Sequence, residues 1–145
     1  MAMRIYGNLL PLLVMINWGA VNSLPTGAPT SACTSLTPSH ALRSQSVASP
    51  YTITVSSASY RANDPITVTV TASSTAFRGI LLQMRRSDND AVVGWWTVSD
   101  ADNYKTISCT HLNGAVTHKN RNMKASSVTF VWTAPDTAEV SVYAT

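Results

Sequence analysis

Hydrophobic and polar residues alternate along the chain from residue 51 onward. The hydrophobic members of the first two alternating runs are Tyr51, Ile53, Val55, Ile66, Val68 and Val70. A period of two places successive side chains on opposite faces, as in a β-strand with one buried face. The pattern therefore predicts strands at residues 51–56 and 66–70.

Further short hydrophobic runs predict five more strands. They lie at residues 76–86, 92–98, 104–110, 127–132 and 140–145. The run at 76–86 is apolar on both alternating sets of positions, so we expect it to be central in its sheet. Residues 111–126 are polar and basic and are predicted to form a long loop. Short strands separated by frequent turns indicate an all-β sandwich.

The amino terminus has the layout of a secretory signal peptide over residues 1–23. Arg4 precedes an apolar stretch at residues 9–16, and small or polar residues lead to Ser23. A membrane anchor is the alternative, but a span needs about 20 apolar residues, and Pro11 interrupts this stretch. We expect a secreted, extracellular chain from residue 24 onward, without a membrane span.

Residues 24–50 are rich in proline, serine and threonine and show no periodicity. They predict an extended, turn-rich lead-in to the first strand. The whole chain of 145 residues fits one signal peptide followed by one domain at residues 24–145.

Composition and charge limit the functions to consider. Only 12% of residues are charged, and loss of Arg4 with the signal peptide would lower the formal net charge from +3 to +2. A nucleic-acid-binding domain usually has a strongly basic face, so we expect no nucleic acid partner.

Two cysteines, Cys33 and Cys109, remain in the predicted secreted chain. An even pair in an extracellular protein predicts a disulfide. A loop of this length would contribute about 4 kcal/mol in the chain-entropy model. A metal site is the alternative, but His40, His111 and His118 lack ligand spacing.

Motifs of the common enzyme classes are absent from the sequence. It contains no nucleophile elbow, P-loop, HExxH or dinucleotide-binding fingerprint. Asp100 and Asp102 are close together, as in calcium sites, but no EF-hand loop surrounds them. We expect a protein that is not an enzyme and uses no cofactor or metal.

Several strings in a fixed order resemble the reeler domain, the domain at the front of reelin. They are GAPTSAC at 27–33, PSH at 38–40, FRGILLQ at 77–83, GAVTH at 114–118, VWTAP at 131–135 and YAT at 143–145. The resemblance implies an immunoglobulin-like or fibronectin-like sandwich with the cysteine pair bridged. Members of the family usually continue past the last string, so we expect the final strand to be truncated.

A single reeler domain behind a signal peptide resembles small secreted defence proteins of invertebrates. This implies an innate-immunity protein that binds lipopolysaccharide, other anionic polymers of bacterial surfaces or extracellular glycans. One alternative is an extracellular-matrix or adhesion module that binds another protein. Another is the N-terminal fragment of a ferric-chelate reductase-like membrane protein.

Six residues are candidates for ligand contact. They are Arg78, Trp96, His118, Lys119, Arg121 and Lys124. The basic residues of the predicted loop suit anionic groups, and an exposed tryptophan can stack on a sugar. The alternatives are a structural arginine at position 78, a core tryptophan and a solvated loop.

Overall fold

The computed structural model describes residues 24–37, 47–74, 76–137 and 139–145. The predicted signal peptide and residues 38–46 of the predicted lead-in lie outside these ranges. The described part contains one short helix and eight strands. They are α1 (Ala32–Ser35), β1 (Tyr51–Val55), β2 (Pro65–Ala72), β3 (Leu81–Arg86), β4 (Trp95–Thr97), β5 (Tyr104–Cys109), β6 (His111–His118), β7 (Ser127–Thr133) and β8 (Val140–Ala144).

The strands form two antiparallel four-stranded sheets. The first sheet has the order β1-β2-β7-β4, and the second has the order β5-β6-β3-β8. The predicted all-β sandwich is confirmed. The central position predicted for β3 is also confirmed, because β3 pairs with β6 on one side and with β8 on the other.

The hydrophobic core lies between the two sheets. In β2, Ile66, Val68 and Val70 point inward while the threonines between them point outward. β7 contributes Phe130 and Trp132, and the ring of Phe130 meets the ring of Tyr104 edge to face at 5.0 Å. The alternation seen in the sequence of β2 thus reflects one buried face and one solvated face.

The predicted loop at residues 111–126 is wrong in its first half, because His111–His118 forms β6. β6 lies inside the second sheet, and its residues Gly114 to Thr117 are buried. A strand covered on both faces does not alternate, and Asn113-Gly114 resembles a turn. A side chain at Gly114 would place its Cβ 2.7 Å from the carbonyl oxygen of Cys109, so the close approach of β5 favours glycine there.

Two predicted strands are shorter in the structure. Residues 76–80 precede β3 without joining it, although Phe77 and Ile80 are buried in the core. β4 is reduced to three residues, and Val92 makes only an isolated bridge to Arg85.

Residues 24–37, which we call the covering segment, lie against the outer face of the second sheet. The Cys33–Cys109 disulfide joins the segment to the end of β5, as the sequence predicted. Both cysteines pack with Leu81 and Ala115, which project from the sheet away from the main core. The prediction of an extended lead-in is wrong at residues 32–35, because this part forms α1, which ends at Leu36 in the left-handed conformation.

Candidate ligand-binding cleft

A cleft of about 400 Å³ lies between the covering segment and the start of β3. Its volume is within the range of small-molecule sites. The covering segment contributes Leu24, Pro25, Ala28, Pro29, Ala32 and Thr37. The opposite side is formed by Gly79, Ile80 and Leu81, with Thr145 beside them, and the basic residues Arg78, His118 and Arg121 also line the cleft.

A buried arginine fixes the wall made by the covering segment. The Arg85 guanidinium donates to the carbonyl oxygens of Cys33 at 2.6 Å and Thr34 at 3.1 Å. The same side chain donates to Gln83 Oε1 at 2.9 Å and pairs with Asp90 at 2.5 Å. Carbonyls at the end of a short helix need partners, and Arg85 supplies them from the sheet.

A glycine lets the covering segment approach β6 closely. Gly27 has a φ of +112°, which favours glycine, and a Cβ there would lie 2.5 Å from the carbonyl oxygen of His118. The next residue, Ala28, donates its N–H to Thr117 Oγ1 at 2.8 Å. The Thr117 hydroxyl in turn donates to the Ile80 carbonyl at 2.8 Å. These bonds join the two walls of the cleft.

His118 bridges the two walls rather than presenting a free ring. Its Nδ1 accepts the N–H of Ile80 at 3.2 Å, and its Nε2 lies 3.0 Å from the carbonyl oxygen of Leu24. This pattern fits a ring with its proton on Nε2. The ring also covers Gly79, where a Cβ would come within 3.1 Å of it. Both ring nitrogens therefore bond within the protein, and His118 holds the wall at Ile80 and the wall at Leu24 in position.

Arg78 and Arg121 come together at the cleft although 43 residues separate them. Arg78 Nη1 donates to the carbonyl oxygen of Arg121 at 3.0 Å, and both side chains are exposed. Within the described ranges, neither guanidinium pairs with a carboxylate. These two predicted site residues therefore present unneutralised positive charge beside an apolar cleft.

The two lysines of the predicted basic loop do not line the cleft. Lys119 is exposed, but its Nζ donates to the carbonyl oxygen of Ala101 at 2.9 Å. Lys124 is only 5% exposed, and its Nζ donates to the carbonyls of Asn120 and Asn122 at 3.0 and 2.7 Å. Burial lowers the pKa of the Lys124 ammonium. The prediction that Lys124 contacts ligand is wrong, because its charge is used inside the loop.

Lys124 nevertheless helps to place the arginines. Its backbone N–H donates to the Phe77 carbonyl at 2.9 Å, next to Arg78. Its ammonium closes the turn that carries Arg121. The cations of the predicted basic loop thus differ in position: Lys124 is buried, Arg121 is exposed at the cleft, and Lys119 is exposed away from it.

The predicted ligand contact at Trp96 is also wrong. Trp96 is 1% exposed and lies in the core, where it pairs in register with Trp132. Trp95 is 39% exposed on the outer face of the first sheet, away from the residues that line the cleft. The expectation that adjacent tryptophans point to opposite faces is confirmed, but the exposed one is Trp95.

The apolar wall formed by the covering segment was not predicted from the sequence. Leu24, Ala28 and Ala32 carry no periodic signal, because the segment consists of turns and one short helix. The small residues around Gly27 and Ala28, close to Cys33 in the chain, were the available indication of tight packing.

Within residues 24–37, 47–74, 76–137 and 139–145, no group of three or more His, Cys, Asp or Glu side chains could hold a metal ion. In the same ranges, no helix has the length and apolar character needed to cross a membrane.

Two antiparallel sheets and a disulfide-bonded covering segment define a β-sandwich domain. The model of the Reeler domain matches residues 31–145, and the chain belongs to the reeler domain family. The expected resemblance is confirmed.

Relatives and solved structures agree with this assignment. "Putative defense protein 3" of Antheraea mylitta is 42% identical over 117 residues, which cover 79% of this chain and 69% of that protein. The reelin-N domain of F-spondin has the same fold, with a TM-score of 0.58 and 22% identity over 72% of this chain and 78% of that one.

The chain also resembles part of a larger protein. "Putative ferric-chelate reductase 1" of Danio rerio is 29% identical over 131 residues, which cover 89% of this chain but 23% of that protein. The likeness is therefore confined to one part of the reductase.

Proposed function

We propose that this protein is a secreted, non-enzymatic defence protein that binds anionic components of bacterial surfaces. The observation that carries the proposal is that Arg78 and Arg121 line one cleft whose described lining contains no Asp or Glu side chain. Guanidinium groups bind phosphates and carboxylates through two parallel hydrogen bonds. Lipopolysaccharide and teichoic acids both present phosphates at the cell surface.

Secretion is supported by the cysteine pair and by the predicted signal peptide at residues 1–23. The Cys33–Cys109 disulfide holds the covering segment in place, and such bonds persist in oxidising compartments. A role in defence is supported by the relatives that are named putative defence proteins.

The test is a pull-down of oxidised residues 24–145 on whole bacteria at low and physiological salt. Lipopolysaccharide and peptidoglycan serve as competitors. We expect binding that lipopolysaccharide competes and that salt weakens, because ions screen exposed charges over about 8–10 Å. Arg121→Glu should weaken binding on the order of tenfold or more, since a charge-assisted hydrogen bond is lost and repulsion replaces it.

Arg61→Glu is the matched control, because Arg61 is exposed, does not line the cleft and gives the same change in net charge. Equal losses in the two variants would indicate that total charge alone drives binding. Absence of binding by the folded, disulfide-bonded protein would contradict the proposal.

A second candidate is an adhesion module that binds another protein through the first sheet. It is favoured by the exposed Trp95, which lies on the outer face of that sheet near the exposed Val131. Tryptophan is common at the centres of protein interfaces. Such binding would be insensitive to salt, unaffected by Arg121→Glu and weakened by Trp95→Ser.

A further inference from the structure

The cleft combines two kinds of surface that differ sharply in chemistry. Its walls are carbon-rich, with Leu24, Ala32, Ile80 and Leu81 among the lining residues. The ionisable side chains that line it within the described ranges are all basic. A ligand that fits both surfaces has an apolar part and an anionic part.

We propose that the cleft binds one acyl chain of a phosphorylated lipid, with the phosphate held by Arg78 and Arg121. The proposal rests on the proposed function and deepens it, because it assigns the part of a bacterial surface molecule that enters the protein. The remainder of the lipid stays outside the cleft.

The walls favour a hydrocarbon chain over a sugar ring. A buried sugar needs hydrogen-bond partners for its hydroxyl groups. The polar groups that join the walls are already engaged, because Thr117 bonds to Ile80 and Ala28, and His118 bonds to Ile80 and Leu24. An acyl chain requires no partners and gains from leaving water.

The opening favours a phosphate. Arg78 is held towards Arg121 by its bond to the Arg121 carbonyl, which leaves further N–H groups of Arg78 to donate outward. Two arginines that line the same cleft can supply several donors to a group with three acceptor oxygens.

The experiment is isothermal titration of oxidised residues 24–145 with inorganic phosphate and with butyl, octyl and dodecyl phosphate, all below micelle-forming concentrations. Octanol is the uncharged comparison. We expect the affinity to rise by up to about fourfold per added methylene until the cleft is filled, and then to level off. Octanol should bind more weakly than octyl phosphate by on the order of tenfold or more.

Three variants separate the two parts of the ligand. Ala32→Phe fills the cleft and should abolish the dependence on chain length while keeping weak phosphate binding. Leu24→Ser, at an exposed position, should reduce that dependence without endangering the fold. Arg78→Gln should lower the affinity for octyl phosphate on the order of tenfold and leave the affinity for octanol unchanged, whereas Arg61→Gln should change neither affinity.

An affinity that is the same for all chain lengths would overturn the proposal. If the protein still bound bacteria in a salt-sensitive way, the proposed function would survive without the acyl site. If the protein did not bind bacteria but its affinity for the alkyl phosphates still rose with chain length, the proposed function alone would be rejected. A dimer in solution that Ala32→Phe converts to a monomer would also overturn the acyl site, because a second copy would then fill the cleft.

Discussion

The outer face of the first sheet is exposed to solvent, whereas the outer face of the second sheet is covered by residues 24–37. The first sheet exposes threonines such as Thr129, as well as Trp95 and Val131, and no described segment covers them in the way that residues 24–37 cover the second sheet. The second sheet has Leu81, Gln83 and Arg85 on its outer face, and all three are buried beneath the covering segment.

The difference explains why a cleft lies on the outer face of the second sheet. Threonines on a pleated surface are stable in water and need no cover. An apolar residue such as Leu81 is more stable when it is covered from water. The covering segment consists of turns and one helical turn, and it does not fill all the space above the sheet. The cleft is the space that remains between Leu81 and the covering segment.

The largest effect is expected from removing the covalent link of the cover. Replacing Cys33 and Cys109 together by serine should lower the free energy of unfolding by about 4 kcal/mol, because the unfolded chain regains the freedom of a long loop. Chemical denaturation of the oxidised protein and the double variant measures this. A change below about 1 kcal/mol would show that non-covalent contacts alone hold the cover.

Arg85→Met tests the polar anchor of the cover. The change leaves the carbonyls of Cys33 and Thr34 without their donor, so we expect a loss of about 3 kcal/mol. The neighbouring Arg86→Met is the matched control, since Arg86 is partly exposed and pairs with Asp136 at the surface. It should cost at most about 1 kcal/mol in the same denaturation experiment.

Gly27→Ala tests the close approach between the cover and β6. The methyl group would clash with the His118 carbonyl at a positive φ, so we expect a loss of about 2 kcal/mol. Thr129→Ala, on the uncovered face, should cost only about 0.5–1 kcal/mol. Equal losses would mean that the two faces contribute alike to stability.

The smallest effect concerns the core beneath both faces and appears only at high pH. Burial raises the pKa of Tyr104 from 10.0 to about 12. The unfolded state therefore releases this proton first, and the stability present below pH 10 is lost as the pH rises towards 12. In denaturation curves collected between pH 10 and 12, the free energy of unfolding of Tyr104→Phe should fall less with pH than that of the unchanged protein. A difference between the two proteins that does not vary with pH would contradict this assignment.

The sequence predicted β2 and the central position of β3 correctly, but it did not predict β6 as a strand. β2 was readable because Val68 and Val70 alternate with threonines. β6 was taken for a loop because Asn113 and Gly114 resemble a turn, while Ala115 to Thr117 are buried without alternation. The two-sided burial of β6 depends on the covering segment, which is distant in sequence.

The candidate site was predictable in part. Arg78 and Arg121 were chosen for their charge, and the structure brings them together. Lys124 has the same charge, but its burial depends on the carbonyls of Asn120 and Asn122, which charge patterning does not reveal. The choice between Trp95 and Trp96 depends on the register of β4 against β7, which two adjacent tryptophans leave open. The signal peptide and the truncation of the last strand stay predictions.

The position of the cover in the chain also sets the order in which the molecule can be completed. Cys33 is synthesised 76 residues before Cys109, a delay of roughly 4–15 s at ordinary translation rates. The contact between Leu24 and His118 spans 94 residues. Residues 24–37 are therefore the first described part to be made and among the last to find their place. During that interval Cys33 is an unpaired thiol whose possible partners all belong to other molecules, since the chain has only two cysteines.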